Sequence, residues 1–134
     1  MIVDSNVVID VLHGIGERSD KIIQGYVQFA SERSPAINPV IFAETASASS
    51  SLSAFEERLG ELGLKVEPFD NGDAFRASLA FRAYRMNGGP RTTILPDFLI
   101  GAQAANRGWP ILTSDRKRFE SYFPEVELLD PLEF

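Results

Sequence analysis

Apolar positions recur along this chain in two rhythms. Short unbroken apolar runs predict buried strands, and apolar residues spaced three or four apart predict amphipathic helices. Met1-Ile2-Val3 is a first short run, closed by Asp4, and Asn6 to His13 is predicted as a helix stopping near Gly14 and Gly16. From Glu17 to Arg33, Ile22, Tyr26 and Phe29 recur at helical spacing with Ile23, Val27 and Ala30 beside them, which predicts a long amphipathic helix. Ala36-Ile37 reads as a strand, and Asn38-Pro39 starts a helix with Asn38 as N-cap and Pro39 at the first helical position. The serine-rich patch Ser47-Ala48-Ser49-Ser50-Ser51 reads as a helix–helix connection, followed by a helix from Leu52 to Leu62 that Gly63 stops. Leu64 to Phe69 is predicted as a strand. Asp73 to Met86 is predicted as a long helix with Ala74, Ala77, Phe81 and Tyr84 on one stripe, broken by Asn87-Gly88-Gly89-Pro90. Arg91 to Leu95 is extended or loop, and Pro96 to Arg107 a helix ending at Gly108. Pro110 to Thr113 is a strand, Arg116 to Tyr122 a short helix, and Val126 to Leu129 a last strand.

Strands that alternate with helices in this way predict an α/β fold, its short parallel sheet covered on both faces. Ligands of such sheets bind at the carboxyl ends of strands, and Asp4 stands at one. The length of 134 residues predicts a single domain over 1–134, and 44% apolar residues suffice for a real core. No apolar run approaches the ~20 residues that span a bilayer. The N-terminus lacks the charged and apolar regions of a secretory signal, so no membrane association and a cytoplasmic location are expected.

Composition narrows the chemistry. The absence of cysteine excludes disulfides, thiolate metal sites and cysteine nucleophiles, and the single histidine, His13, excludes a multi-histidine zinc site within one chain. A net charge of −6, from 13 basic and 19 acidic residues, suits nucleic acid poorly if bulk charge is to hold it. It suits an acidic site that recruits a cation, with any nucleic acid gripped by a local basic patch.

Four carboxylates lie where a carboxylate is costly or notable: Asp4, Glu44, Asp97 and Asp115. Each has an ordinary structural explanation. Asp4 and Asp115 both end apolar runs and precede helices, which suits an N-cap. Glu44 shares a helix face with Ile41 and Ala48, where a glutamate at the edge of the stripe reaches water. Asp97 occupies a first helical turn, favoured for acids by the helix dipole. The set is harder to dismiss than its members, because two acids end presumed parallel strands and two belong to helices that flank the same edge. Clustered carboxylates repel one another and resist desolvation, so they persist with a compensating cation or raised pKa values. A hard divalent ion is the natural partner; magnesium typically takes one or two protein carboxylates and keeps several waters. Such an ion suits phosphodiester hydrolysis.

At these residues the sequence resembles the PIN-domain ribonucleases, and among them the VapC-type toxins of bacterial toxin–antitoxin pairs. VDSNVVID is similar to the family's first-strand motif, with Asp4 as its first acid and Ser5-Asn6 as its small polar pair. The family's glutamate falls on Glu44 within AET, its third acid on Asp97 within PDFLIGAQAANRG, and its fourth on Asp115 within PILTSDRKRF, where Thr113 and Phe119 also match. The resemblance implies a three-layer α/β/α fold, Mg²⁺ or Mn²⁺ dependence and cleavage of single-stranded or transfer RNA. It also implies a homodimer, a small cognate antitoxin, and places for Ser5, Asn6 and Thr113 beside the acids.

The remaining candidates are weighed on their surroundings. His13 suits a helix end, where it interacts with the last carbonyls, better than a general base. Asp10 follows Asn6 by one turn and suits solvent, and Ser114 lacks a base. Arg116 and Arg118 flank Lys117 beside Asp115, Arg82 and Arg85 share a helix face, and Arg91 follows in the loop. They are either a solvated surface or a rim that holds RNA phosphates. Three other readings remain. A haloacid dehalogenase-like phosphatase needs a second aspartate where this chain has Asn6, a receiver-like signalling module needs a strand-end lysine, and a PIN-like module that binds RNA or protein without cutting has no need of all four acids.

Overall fold

The computed structural model describes residues 1–134. Five strands, β1 (Ile2–Val3), β2 (Ala36–Ile37), β3 (Lys65–Val66), β4 (Ile111–Leu112) and β5 (Leu128–Leu129), alternate with six helices. The helices are α1 (Ser5–His13), α2 (Glu17–Glu32), α3 (Pro39–Ala46), α4 (Leu52–Glu61), α5 (Asn71–Met86) and α6 (Pro96–Arg107). All strands pair in parallel in the order β3-β2-β1-β4-β5. Right-handed crossovers then put the helices that link β1, β2 and β3 on one face and α5 and α6 on the other. The predicted α/β class is the one observed.

The order of the strands matters for function. The chain leaves β1 towards β2 and β3, then returns across the sheet to β4 on the other side of β1. The carboxyl ends of β1 and β4 therefore flank the point where the strand order reverses, which is where sheets of this kind open a crevice. The register pairs Ile2 with Ile111 and Val3 with Leu112, so Asp4 and Thr113 leave the sheet side by side.

The core forms around Ile2, Val3, Ile37, Ile111 and Leu112, all fully buried, with Phe98, Phe119 and Phe123 over them. Two glycines permit the close packing. A Cβ at Gly25 of α2 would lie 1.7 Å from the Pro131 carbonyl oxygen, and one at Gly101 of α6 would lie 2.3 Å from the Phe123 ring.

Several boundaries differ from those predicted, each for a local reason. Helix α1 begins at Ser5, one residue early, because Asp4 is its N-cap. Helix α5 begins at Asn71 rather than Asp73. Asp70 is its N-cap, and Asp70 and Asp73 form a reciprocal capping box that uses aspartate where glutamate or glutamine is usual. The strand predicted over Leu64 to Phe69 shortens to Lys65–Val66, both exposed, on a sheet edge where Pro68 has no N–H to continue the ladder. The helix predicted over Arg116 to Tyr122 is a single 3-10 turn, Arg116–Arg118, followed by turns that bury Phe119 and Phe123. The last strand starts at Leu128, not Val126.

Candidate functional site

Asp4 is fully buried although it carries a carboxylate, and a buried charge persists only with partners. Both its oxygens have them. Oδ1 accepts the Ser5 backbone N–H at 2.8 Å. Oδ2 accepts the Thr113 hydroxyl at 2.7 Å and Nη1 of Arg118 at 2.6 Å. Burial pushes the Asp4 carboxyl above the usual carboxylate range, although Arg118, Thr113 and Ser5 all pull it the other way. The capping role foreseen for Asp4 is thus present and is one contact among three.

Each of the other three acids connects to Asp4 through one intermediary. Arg118 also donates Nε to Oδ1 of Asp97 at 3.0 Å and adds a second, shorter bond from Nη2 to the same oxygen, so its guanidinium bridges Asp4 and Asp97. Burial draws the Arg118 pKa down, but the bonds and charges of Asp97 and Asp4 outweigh it and hold the group above its ordinary value. Ser5, whose N–H meets Asp4, donates its hydroxyl to Oε1 of Glu44 at 2.5 Å. Thr113, whose hydroxyl meets Asp4, accepts the Asp115 backbone N–H at 3.0 Å. Asn6 Oδ1 accepts the Ser114 N–H at 3.3 Å and joins the ends of β1 and β4 directly.

Local structure explains these placements. Asp97 lies in the first turn of α6, whose N-cap, Leu95, offers no side-chain cap, and the positive end of the helix dipole favours a carboxylate there. Asp115 caps nothing: the 3-10 turn it precedes has no side-chain cap bond, and its carboxylate is exposed and unpaired. The capping explanation fails for it. Glu44 is exposed on α3, and the helix ends at Ala46, so Ala48 lies beyond it and is exposed too; the stripe expected through Ile41, Glu44 and Ala48 is not formed, and the buried residues of α3 are Ile41 and Thr45. A buried amide pair holds α3 to α6: Asn38 caps α3 through Ile41 N–H and donates to Gln103, which donates in turn to the Glu67 and Pro68 carbonyls at the end of β3. Gln103 had no place in the sequence reading. Its signal was a long amide amid the small residues Gly101, Ala102, Ala104 and Ala105.

The basic residues divide. Arg118 was read as either solvated surface or part of a rim for RNA, and its guanidinium points inward to the acids instead. Arg116 is exposed and donates to the Leu128 carbonyl. Arg85 donates to the Gly89 and Arg91 carbonyls and pins the loop that leads to Asp97, while the Arg91 and Arg82 side chains are exposed. His13 is exposed at the end of α1, and Asp10 accepts the Ser19 hydroxyl at 2.8 Å, which ties α1 to α2; neither belongs to the network.

No three of the acids converge as a ready-made cage for a metal ion. The donor set nevertheless fits one. It is all carboxylate oxygen, magnesium needs only one or two such ligands, and a positive group already lies between Asp4 and Asp97. No helix is long and apolar enough to cross a membrane.

A sequence model of the PIN domain matches residues 1–122. No curated protein matches the chain. Among solved structures, a chain of DNA-bound VapBC from Salmonella typhimurium superposes with a TM-score of 0.72 at 21% identity, covering 97% of this chain and 96% of that one. A chain of VapBC2 from Rickettsia felis, bound to a promoter DNA fragment, gives 0.72 at 17% identity with 96% of each covered. A chain of a toxin–antitoxin complex from Klebsiella pneumoniae gives 0.67 at 18%, covering 99% and 98%.

Proposed function

The chain belongs to the PIN domain family, and from that premise we propose that it is a divalent-metal-dependent endoribonuclease, the toxin of a toxin–antitoxin pair. The observation that carries the reading is Asp4: a fully buried carboxylate at the strand-order reversal, linked through single residues to the carboxylates of Asp97 and Glu44 and to the backbone N–H of Asp115. Asp4 and Asp97 are the first candidates to hold Mg²⁺ or Mn²⁺, with Glu44 and Asp115 at the exposed side of the same network. When bound, the ion supplies an activated water and positive charge against the phosphodiester. This chain's own residues do the rest. Thr113 and the Ser5 N–H fix both oxygens of Asp4, the Ser5 hydroxyl orients Glu44, and the uncapped end of α6 favours negative charge at Asp97. Arg116, Arg91 and Arg85 supply positive charge for RNA phosphates in a chain that is acidic overall. The substrate in this reading is single-stranded or transfer RNA.

The likeness to chains of VapBC and toxin–antitoxin complexes supports a small cognate antitoxin as partner. The reading also makes the toxin a homodimer, in which two chains join their local arginine patches into one basic groove. Light scattering of the purified protein is expected to give the mass of two chains.

The direct test is RNA cleavage with and without metal. Cleavage is expected with Mg²⁺ or Mn²⁺ and not in EDTA. Asp97→Asn is expected to fold and to lose cleavage, because an amide carries no charge to hold a hard cation. Undiminished cleavage in EDTA, or by Asp97→Asn, overturns the reading.

A further inference from the structure

We propose that Arg118 is the site's internal counter-cation, and that a divalent ion gains Asp4 and Asp97 only by displacing it. The free protein is thereby held in a closed state of low metal affinity. This inference rests on the reading of the acids as metal ligands and concerns how their access is controlled.

The contacts of Asp4 leave one replaceable partner. The Ser5 N–H is backbone at the start of α1, and Thr113 is fully buried at the end of β4, so neither withdraws without moving an element. Arg118 is different. It comes from a three-residue 3-10 turn, its side chain keeps 22% exposure, and its guanidinium hydrogen-bonds to nothing except Asp4 and Asp97. The Phe119 ring lies under it, its centroid 5.2 Å from the guanidinium carbon. Rotation of one long side chain therefore releases both acids together.

The same contacts explain why the closed state forms. With Arg118 withdrawn and no ion present, Asp4 would be a buried charge without a counter-charge, the costly arrangement for an ion pair. A divalent ion removes that penalty and brings twice the charge of a guanidinium. The two cations compete for one seat, and the apparent affinity for the ion scales with the fraction of molecules in which the seat is free.

The test is Mn²⁺ binding to the full chain without RNA, by titration calorimetry, for wild type, Arg118→Gln, Arg118→Lys and Arg116→Gln. If the closed pair holds about nine molecules in ten, Arg118→Gln lowers the Mn²⁺ Kd about tenfold. Arg118→Lys, which keeps the charge but cannot fork across two carboxylates, falls between Arg118→Gln and wild type and serves alone if Arg118→Gln does not fold without metal. Arg116→Gln removes the same charge from the same exposed turn without touching Asp4 or Asp97, and is expected to stay within about twofold of wild type because exposed charges are screened. Thermal melts in EDTA should show Arg118→Gln less stable than wild type, with a larger gain on adding Mn²⁺. Wild-type affinity in both Arg118 variants, weaker binding in them, or equal tightening by Arg116→Gln overturns the inference and leaves the metal reading standing. No Mn²⁺ binding by any of the four proteins overturns the metal reading itself, and this inference with it.

Discussion

Thr113 has neither charge nor an obvious part in phosphate chemistry, yet its hydroxyl is the single link between Asp4 and the backbone of Asp115. Thr113→Val keeps the shape and removes that link. It leaves Oδ2 of Asp4 with Arg118 alone and the Asp115 N–H without its acceptor, which costs about 1–3 kcal/mol where such groups are buried. Urea unfolding is expected to show that loss, and RNA cleavage to fall with it. A variant as stable and as active as wild type would reduce Thr113 to packing. The four acids stood out as candidates only as a set and through the resemblance, because each alone sits at a cap, a first helical turn or a stripe edge where an acid is ordinary. Arg118 was legible only as a basic residue. In Arg116-Lys117-Arg118 all three side chains are cationic, and nothing in their order tells which one the 3-10 turn aims inward.

At the scale of elements, the end of α5 and α6 remote from the site is held by Asp73. Its side chain is 1% exposed, accepts the Asp70 N–H in the capping box, and takes bonds from Asn106 at 2.8 Å and from Arg107 at 2.7 Å. Burial alone would raise its pKa, but Arg107, Asn106 and the Asp70 N–H together hold it below the ordinary value. A lowered acid pKa means that the unfolded chain binds the proton first. The stabilisation is therefore complete above the ordinary carboxylate pKa and is lost as pH falls through the folded value. Asp73→Asn keeps an acceptor for the helix end and loses the charge towards Arg107. It should cost about 1.5–3 kcal/mol at neutral pH, the range for hydrogen bonds to charged groups. In urea melts from pH 7 downward, the difference from wild type should close below about pH 4. A pH-independent difference would assign the loss to packing. The start of this helix was misplaced by two residues because Asn71-Gly72 looks like a turn, and the aspartate version of a capping box carries a weaker sequence signal than glutamate. Periodicity located the helices, but not every residue on their faces: Ala74, placed on the α5 stripe, is exposed while Asp73 and Ala80 are buried. The segment after Arg116 was misread as a helix because its two buried aromatics sit in turns and not on a helical stripe.

For the whole molecule, alternation of strands and helices gave the α/β class, but the order β3-β2-β1-β4-β5 could not be read, since paired strands of two residues each carry almost no local pattern of who pairs with whom. That order brings acids distant in sequence to one edge, and under the metal-dependent reading proposed above it ties ion binding to the folded state alone. An ion that binds only the folded chain stabilises it by about 2.7 kcal/mol at a hundred times its Kd. For a chain of this length that is a rise of roughly 10 °C in Tm. Asp115 decides how far the site extends. Its carboxylate is exposed and bonds to nothing in the fold, so Asp115→Asn removes no folded-state contact. Its Tm in EDTA should equal that of wild type. With excess Mg²⁺ the two should separate if Asp115 is a ligand, the variant gaining less because an amide is a poorer partner for a hard cation. Asp97→Asn provides the contrast: it loses its ion pair with Arg118 and should melt lower in EDTA as well as losing the Mg²⁺ gain. Equal Mg²⁺ gains in wild type and Asp115→Asn would confine the metal to Asp4, Asp97 and Glu44, and would leave Asp115 to a role at the exposed mouth of the site.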